Sequence, residues 1–193
     1  MNNLSNALLF GGILNTAEIT HITRCFEMQV LKSGNHFCLP DQVSDRLGFV
    51  DSGIFRVYVE NDEGEEATKY FFRQHQFIMD IESFYHGAPT IAGIQAVTEA
   101  HLLSINRKDW FQLNEAIPKL FMLTKSLTEA ALINKIKDSD FLRFGTASQK
   151  YEAFVKRYPD LALNVPLQYI ASYLQITPQS LSRIRKNLSD GSI

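Results

Sequence analysis

Within residues 168–187, QYIASYLQITPQSLSRIRKN, an apolar helical pattern is broken at Thr177-Pro178. It resumes with Gln179, Ser180, Ser182, Arg183 and Lys186. These side-chain types contact duplex DNA. Arginine reads guanine through two N–H groups, and Gln and Ser read base edges or hold phosphates. Thr177 suits a helix N-cap and Pro178 the first helical position, so the second helix should begin sharply. Ile170, Ala171 and Leu174 form one apolar face, Leu181 and Ile184 the facing one, and Ile176 plugs the turn. The small Ala171 lets the two axes approach. The pattern predicts a helix-turn-helix whose second helix enters the major groove N-terminus first, with Thr177, Gln179, Ser180, Ser182, Arg183 and Lys186 as the contact set. Gln175 stands where such turns usually carry Gly; a left-handed backbone there costs Gln about 1 kcal/mol.

Other chemistries find little support. Cys25 and Cys38 lie far apart without a CxxC, so a disulfide framework or four-thiolate cluster is not expected, and both read as reduced thiols. His21, His36, His75, His86 and His101 are dispersed with no HxH, which argues against a cupin metal site or haem. A nucleophile elbow and a glycine-rich phosphate loop are also missing. The expectation is a non-enzyme with no cofactor and no metal. The 193 residues are 45% apolar and 21% charged, ordinary for a soluble globular chain, with a formal charge of −2. The charge is uneven. Residues 149–188 carry Lys150, Lys156, Arg157, Arg183, Arg185 and Lys186 against only Glu152 and Asp160, a basic module on an otherwise acidic chain. The N-terminus lacks a basic signal-peptide region, and no apolar run approaches the ~20 residues of a membrane span, so a cytoplasmic protein is expected.

The elements that must position the contact set follow from periodicity. Residues 1–24 read as helical, with a cap at Asn15/Thr16. From Cys25 to Ile105 short alternating stretches are broken by turn residues: IFRVYVE, a hairpin at NDEGEE with Gly64, ATKYFFR, FIMDIESFYHGAP and AGIQAVTEAHLLSI. Strands so spaced, without intervening helices, predict an antiparallel sandwich or barrel. NRKDWFQLNEA then gives a short helix, and Pro118 opens a long one running to about Lys137. Along it Leu120, Leu123, Leu127, Ala130 and Asn134 step by three and four, a seam for pairing with a twin helix in which Asn134 would fix the register. Phe121, Met122, Leu132, Ile133 and Ile136 would then pack on the chain's own β domain. A further helix is expected over Thr146 to Arg157, with DLALNV linking it to the opening motif.

This layout resembles the Crp/Fnr superfamily of bacterial transcription regulators over nearly the whole chain. The most specific piece is VPLQYIASYLQITPQSLSRIRKNL, similar to the DNA-reading segment of short members. The resemblance implies an α+β fold: an N-terminal antiparallel β-roll (jelly-roll-like, a double-stranded β-helix) with flanking helices, a long dimerisation helix and an all-α helix-turn-helix domain. The expected divisions are 1–115 for the sensor roll, 116–138 for the dimerisation helix and 139–193 for the DNA-binding domain. It also implies a homodimer on a near-palindromic site in double-stranded DNA, RNA polymerase as a partner, and Arg183 as the carry-over for base contact. Pro178 and Gln179 replace the Arg and Glu that precede the matching Arg in cyclic-AMP-binding members, so the operator cannot be copied across.

The sensor region departs further. FIMDIESFYHGAPTIAGIQA resembles the family's phosphate cassette in length and flanking Phe. Met79-Asp80 falls at its Gly-Glu pair and Thr90-Ile91 at its Arg-Ser pair. Asp80 could accept from a hydroxyl, but Thr90 cannot neutralise a phosphate, and a buried phosphate without a cation is disfavoured. Asp80, Ile81, Glu82, Ser83, Thr90 and Ile91 therefore read as a degenerate effector pocket that does not take cyclic AMP or cyclic GMP in the usual way. His75 and His86 flank it and could serve a different ligand, so an unknown small-molecule effector stays open. The alternative reading is a small-molecule sensor whose helical C-terminus contacts a protein rather than DNA.

Overall fold

The computed structural model describes residues 3–189; of the side chains at 138–141 and 189, and of the ends of the expected 1–115 and 139–193 regions (residues 1–2 and 190–193), nothing is described. Two helices lead the chain, α1 (Asn3–Leu8) and α2 (Thr16–Arg24). The expected Asn15 cap forms a capping box, its side chain accepting from Glu18 N at 2.9 Å while the Glu18 carboxylate accepts from Asn15 N at 2.8 Å. Eight strands follow: β1 (Glu27–Leu31), β2 (His36–Cys38), β3 (Arg46–Ser52), β4 (Phe55–Glu60), β5 (Glu66–Phe72), β6 (Phe77–Ile78), β7 (Ala92–Ala96) and β8 (Ala100–Asn106). They make two four-stranded sheets, β1-β8-β3-β6 and β2-β7-β4-β5, antiparallel throughout. The β4–β5 hairpin closes through Gly64 at φ 80°, as NDEGEE predicts.

One expectation about this region is corrected. A short helix, α3 (Ile81–His86), interrupts FIMDIESFYHGAP, because Asp80 caps it by accepting from Ser83 N at 2.9 Å and Gly87 ends it in the left-handed region at φ 70°. The roll encloses a core of Leu31, Val50, Ile78 and Leu102 from the first sheet against Phe55, Val57, Ile94 and Ala96 from the second. The outer face of the first sheet, with Leu47, Phe49 and Ile105, is covered by α1, α2 and α4 (Arg107–Ala116).

The long helix α5 spans Lys119–Arg143, past the expected end at Lys137, so a division at 138 falls inside it. Its faces are exchanged relative to expectation. Leu120 and Leu123 are 0% and 1% exposed in the core under the first sheet, with Leu127 packed behind them. They have no surface left for a twin helix. Ala130 continues that arc half-buried, and Asn134 lines a cleft with Tyr70, Phe71 and Tyr158 rather than a helix seam. Phe121, Met122, Leu132, Ile133 and Ile136, expected to face the roll, are each more than half exposed. At 100° per residue these five fall within an arc of about 120°, opposite the buried leucines.

Beyond α5 lie α6 (Ala147–Arg157), α7 (Pro159–Asn164), α8 (Leu167–Leu174) and α9 (Pro178–Ser189). Thr146 caps α6 in a box with Gln149, and the expected DLALNV linker is largely the short helix α7. This helical unit has its own core around Phe154, Ile170, Leu174 and Leu181, to which the roll contributes Ile54 and Val97. It is docked on the outer face of the second sheet: Thr68 N donates to Ser172 Oγ at 2.9 Å, Phe71 meets Tyr173 edge-on, and Arg73 pairs with Asp160 at 3.0 Å.

The exchange of faces on α5 is measurable. Leu123→Ala should lower unfolding stability by about 2–5 kcal/mol in urea melts, the cost of a buried leucine. Were Leu123 on an intermolecular seam instead, the loss would depend on protein concentration.

Candidate nucleic-acid interface and effector cassette

The pair α8 and α9, with the turn between them, is built as its residues dictate. Ile170, Ala171, Leu174 and Leu181 are all 0% exposed, and Ile184 packs beside them. Gln175 adopts the left-handed conformation at φ 57°, ψ 44°. That turns the chain so that Ile176 N reaches Ala171 O at 3.0 Å, the six-to-one bond of a Schellman turn. Thr177 then caps α9, its hydroxyl accepting from Ser180 N at 3.1 Å and donating to Ser180 Oγ at 2.9 Å. Two of the six expected contact residues, Thr177 and Ser180, are thus joined in the cap. The other four, Gln179, Ser182, Arg183 and Lys186, are exposed. Their i, i+3, i+4, i+7 spacing places them on one face of α9, away from the Leu181–Ile184 side.

The cassette is closed by its own side chains. Asp80 Oδ1 accepts from Ser83 N at 2.9 Å and Oδ2 accepts from Thr90 Oγ1 at 2.9 Å. Thr90 is 3% exposed, and its oxygen also accepts from Ala92 N at 3.0 Å. The residue at the expected arginine position is therefore bonded to the residue at the expected glutamate position. Ser83 is buried and accepts from Ser44 N at 2.7 Å, whereas Ile81, Glu82 and Ile91 point to solvent. The six expected pocket residues do not line one cavity. Around them Tyr70 is buried enough to push its phenol up to about 12, with the Asp80 charge adding to the effect. Burial likewise raises the Cys38 thiol. These residues do not fit a cyclic phosphate: the Arg position is a neutral hydroxyl, and Asp80 already has its partners.

Sequence reasoning passed over two cations. Lys135 on α5 sets Nζ 3.7 Å from the Tyr70 ring centre, and lost hydration followed by the nearby Lys69 holds its pKa below the ordinary lysine value. Arg56, one charged residue in the alternating IFRVYVE strand, is 2% exposed. Side chains of the roll and the Tyr169 ring of the docked α8 together cover it. Among the described residues no group of three or more His, Cys, Asp or Glu could hold a metal ion, both cysteines are free, and no helix is long and apolar enough to cross a membrane.

Two substitutions check this geometry. Thr90→Val leaves the Asp80 carboxylate and Ala92 N–H without their shared partner and should cost about 1–3 kcal/mol in chemical denaturation. Gln175→Gly should raise stability by about 0.5 kcal/mol, the strain released less the chain entropy that Gly adds; a loss would show that the Gln side chain contributes more than the turn costs.

Residues 28–116 match the family model of the cyclic nucleotide-binding domain. A search of curated proteins finds no match to the chain. Solved structures do. The c-di-GMP responsive global regulator CLP of Xanthomonas campestris aligns with a TM-score of 0.71 at 15% identity, over 92% of this chain and 93% of that one. FixK2 from Bradyrhizobium japonicum gives 0.73 at 15% identity, over 87% and 86%. The catabolite activator protein of Thermus thermophilus gives 0.58 at 18% identity, over 97% and 88%. At such identities the likeness establishes the fold alone. The chain shares the α+β fold of these solved structures, and its residues 28–116 match the cyclic nucleotide-binding domain.

Proposed function

We propose that this chain is a DNA-binding transcriptional regulator that acts as a homodimer, with a sensor roll that does not take cyclic AMP or cyclic GMP. The observation that carries the reading is the exposed face of α9, where Gln179, Ser182, Arg183 and Lys186 project together from a helix backed by Leu181. Donors and cations on an outward helix face suit base edges and phosphates in a major groove. The exposed arc of α5 supplies the dimer surface. Phe121 and Met122 at one end and Leu132, Ile133 and Ile136 at the other flank a Lys125–Glu129 pair 3.8 Å apart. Two such helices, laid together, would bury five large apolar side chains per protomer. Recruitment of RNA polymerase would then be the downstream step.

Duplex selection from a random library tests the reading. The selected site should be near-palindromic, and affinity should fall steeply between 50 and 200 mM salt as counterions are released. Arg183→Ala should weaken binding by about 1–3 kcal/mol at one base position per half-site. Ile133→Glu should shift the protein to monomer in sedimentation while leaving each protomer folded. Salt-insensitive association, or Arg183→Ala with unchanged selectivity, would exclude this function. Tight cyclic AMP binding in calorimetry would overturn the closed cassette.

A further inference from the structure

A guanidinium removed from water has to be partnered on every side, and the partners of Arg56 come from two domains. Its Nε donates to Gln95 Oε1 at 2.7 Å, and Nη2 pairs with Glu66. Its carbon lies 4.5 Å from the Tyr58 ring centre and 3.8 Å from that of Tyr169. Gln95, Glu66 and Tyr58 belong to the roll. Tyr169 belongs to α8, the first helix of the helix-turn-helix. Without that ring, one face of the charge would open to water.

The roll side of the cluster is rigidly held. The Tyr58 ring lies flat on Gly93, where a Cβ would come within 2.3 Å of Cε1. Its hydroxyl is 3.0 Å from His36 Nε2, and burial holds that imidazole below its ordinary pKa, the Arg56 charge adding to the effect. Gln95 is tied at its other end, Nε2 donating to Gly34 O at 2.9 Å. Strand β4 thus presents a cation with fixed direction to α8. One helical turn on, Ser172 accepts from Thr68 N, and Tyr173 meets Phe71. These are a neutral hydrogen bond and a ring edge; the Arg56–Tyr169 stack is the desolvated, charged contact of the three.

We infer that Arg56 is a positioning residue for the DNA-reading helix. By stacking on Tyr169 it fixes α8 on the outer face of the second sheet, and through the Gln175 turn it fixes the direction of α9. Every contact in this latch comes from the chain's own side chains, so the aim of α9 is set between domains and needs no nucleotide in the roll. The inference rests on the proposed function, since it concerns how that same interface is aimed.

Tyr169→Leu is the informative variant, because Arg56 keeps Glu66, Gln95 and Tyr58 and the roll stays folded. Amide exchange on the full chain without DNA should quicken about tenfold at Thr68 and across 169–174, while β4 and β7 amides stay protected. On the selected duplex the variant should lose about tenfold in affinity and tolerate half-site spacings that the parent rejects. Tyr169→Phe, which keeps a ring over the guanidinium, should restore both readouts. Arg56→Met should reproduce the exchange effect from the other side of the stack. Unchanged exchange at Thr68 and unchanged spacing preference in Tyr169→Leu would overturn the inference. If the parent binds no duplex at all, the proposed function fails instead, and the exchange measurement alone still decides whether the latch holds α8.

Discussion

A helix that packs on a single sheet buries one of its sides and leaves the opposite one open. In α5 the buried side carries Leu120 and Leu123, which reach the core under the first sheet together with Trp110, Leu113 and Ile117. The rest of the molecule is arranged around this anchoring. The helix leaves the roll with Phe121 and Met122 turned outward, continues past Tyr70 with Lys135 over its ring, and delivers the chain to the helical unit at Arg143. Its exposed apolar arc is a consequence of the same geometry, because five large side chains on the far side have no partner within the described chain.

The roll has an inside and an outside with different chemistry. Inside, small and branched side chains such as Ala92, Ala96, Val57 and Ile94 meet Phe55 and Leu102, and the cassette is closed by the bond between Asp80 and Thr90. Outside, on the second sheet, Arg56, Tyr58, Gln95 and Glu66 make a polar surface that the helical unit covers. A strand's period of two sends alternate residues of IFRVYVE to these two environments. The result is a roll whose interior is filled and whose exterior does the joining.

In the helical unit, local chemistry and packing agree. Thr177 caps α9, Gln175 accepts a left-handed backbone, and Ala171 leaves room at the crossing while Leu181 and Leu174 fill it. Because the cap engages Thr177 and Ser180 with each other, the outward chemistry narrows to Gln179, Ser182, Arg183 and Lys186. That is a more selective surface than the run of polar residues suggests.

Caps, turns and strand alternation act over a few residues, so the sequence alone determined them: the Asn15 and Thr177 caps, the hairpin at Gly64, the left-handed Gln175 and the apolar faces of α8 and α9 were all readable. It also determined that a cation was lacking where the cassette resemblance calls for one, since Thr90 is neutral in any fold. Tertiary structure decided what periodicity leaves symmetrical. Both faces of α5 carry large apolar side chains, and only the position of the first sheet selects which is buried. The burial of Arg56 was equally hidden, because one of the rings that cover it belongs to Tyr169, more than a hundred residues later in the chain. Long-range contacts of that kind depend on where separate elements meet, which no local pattern encodes.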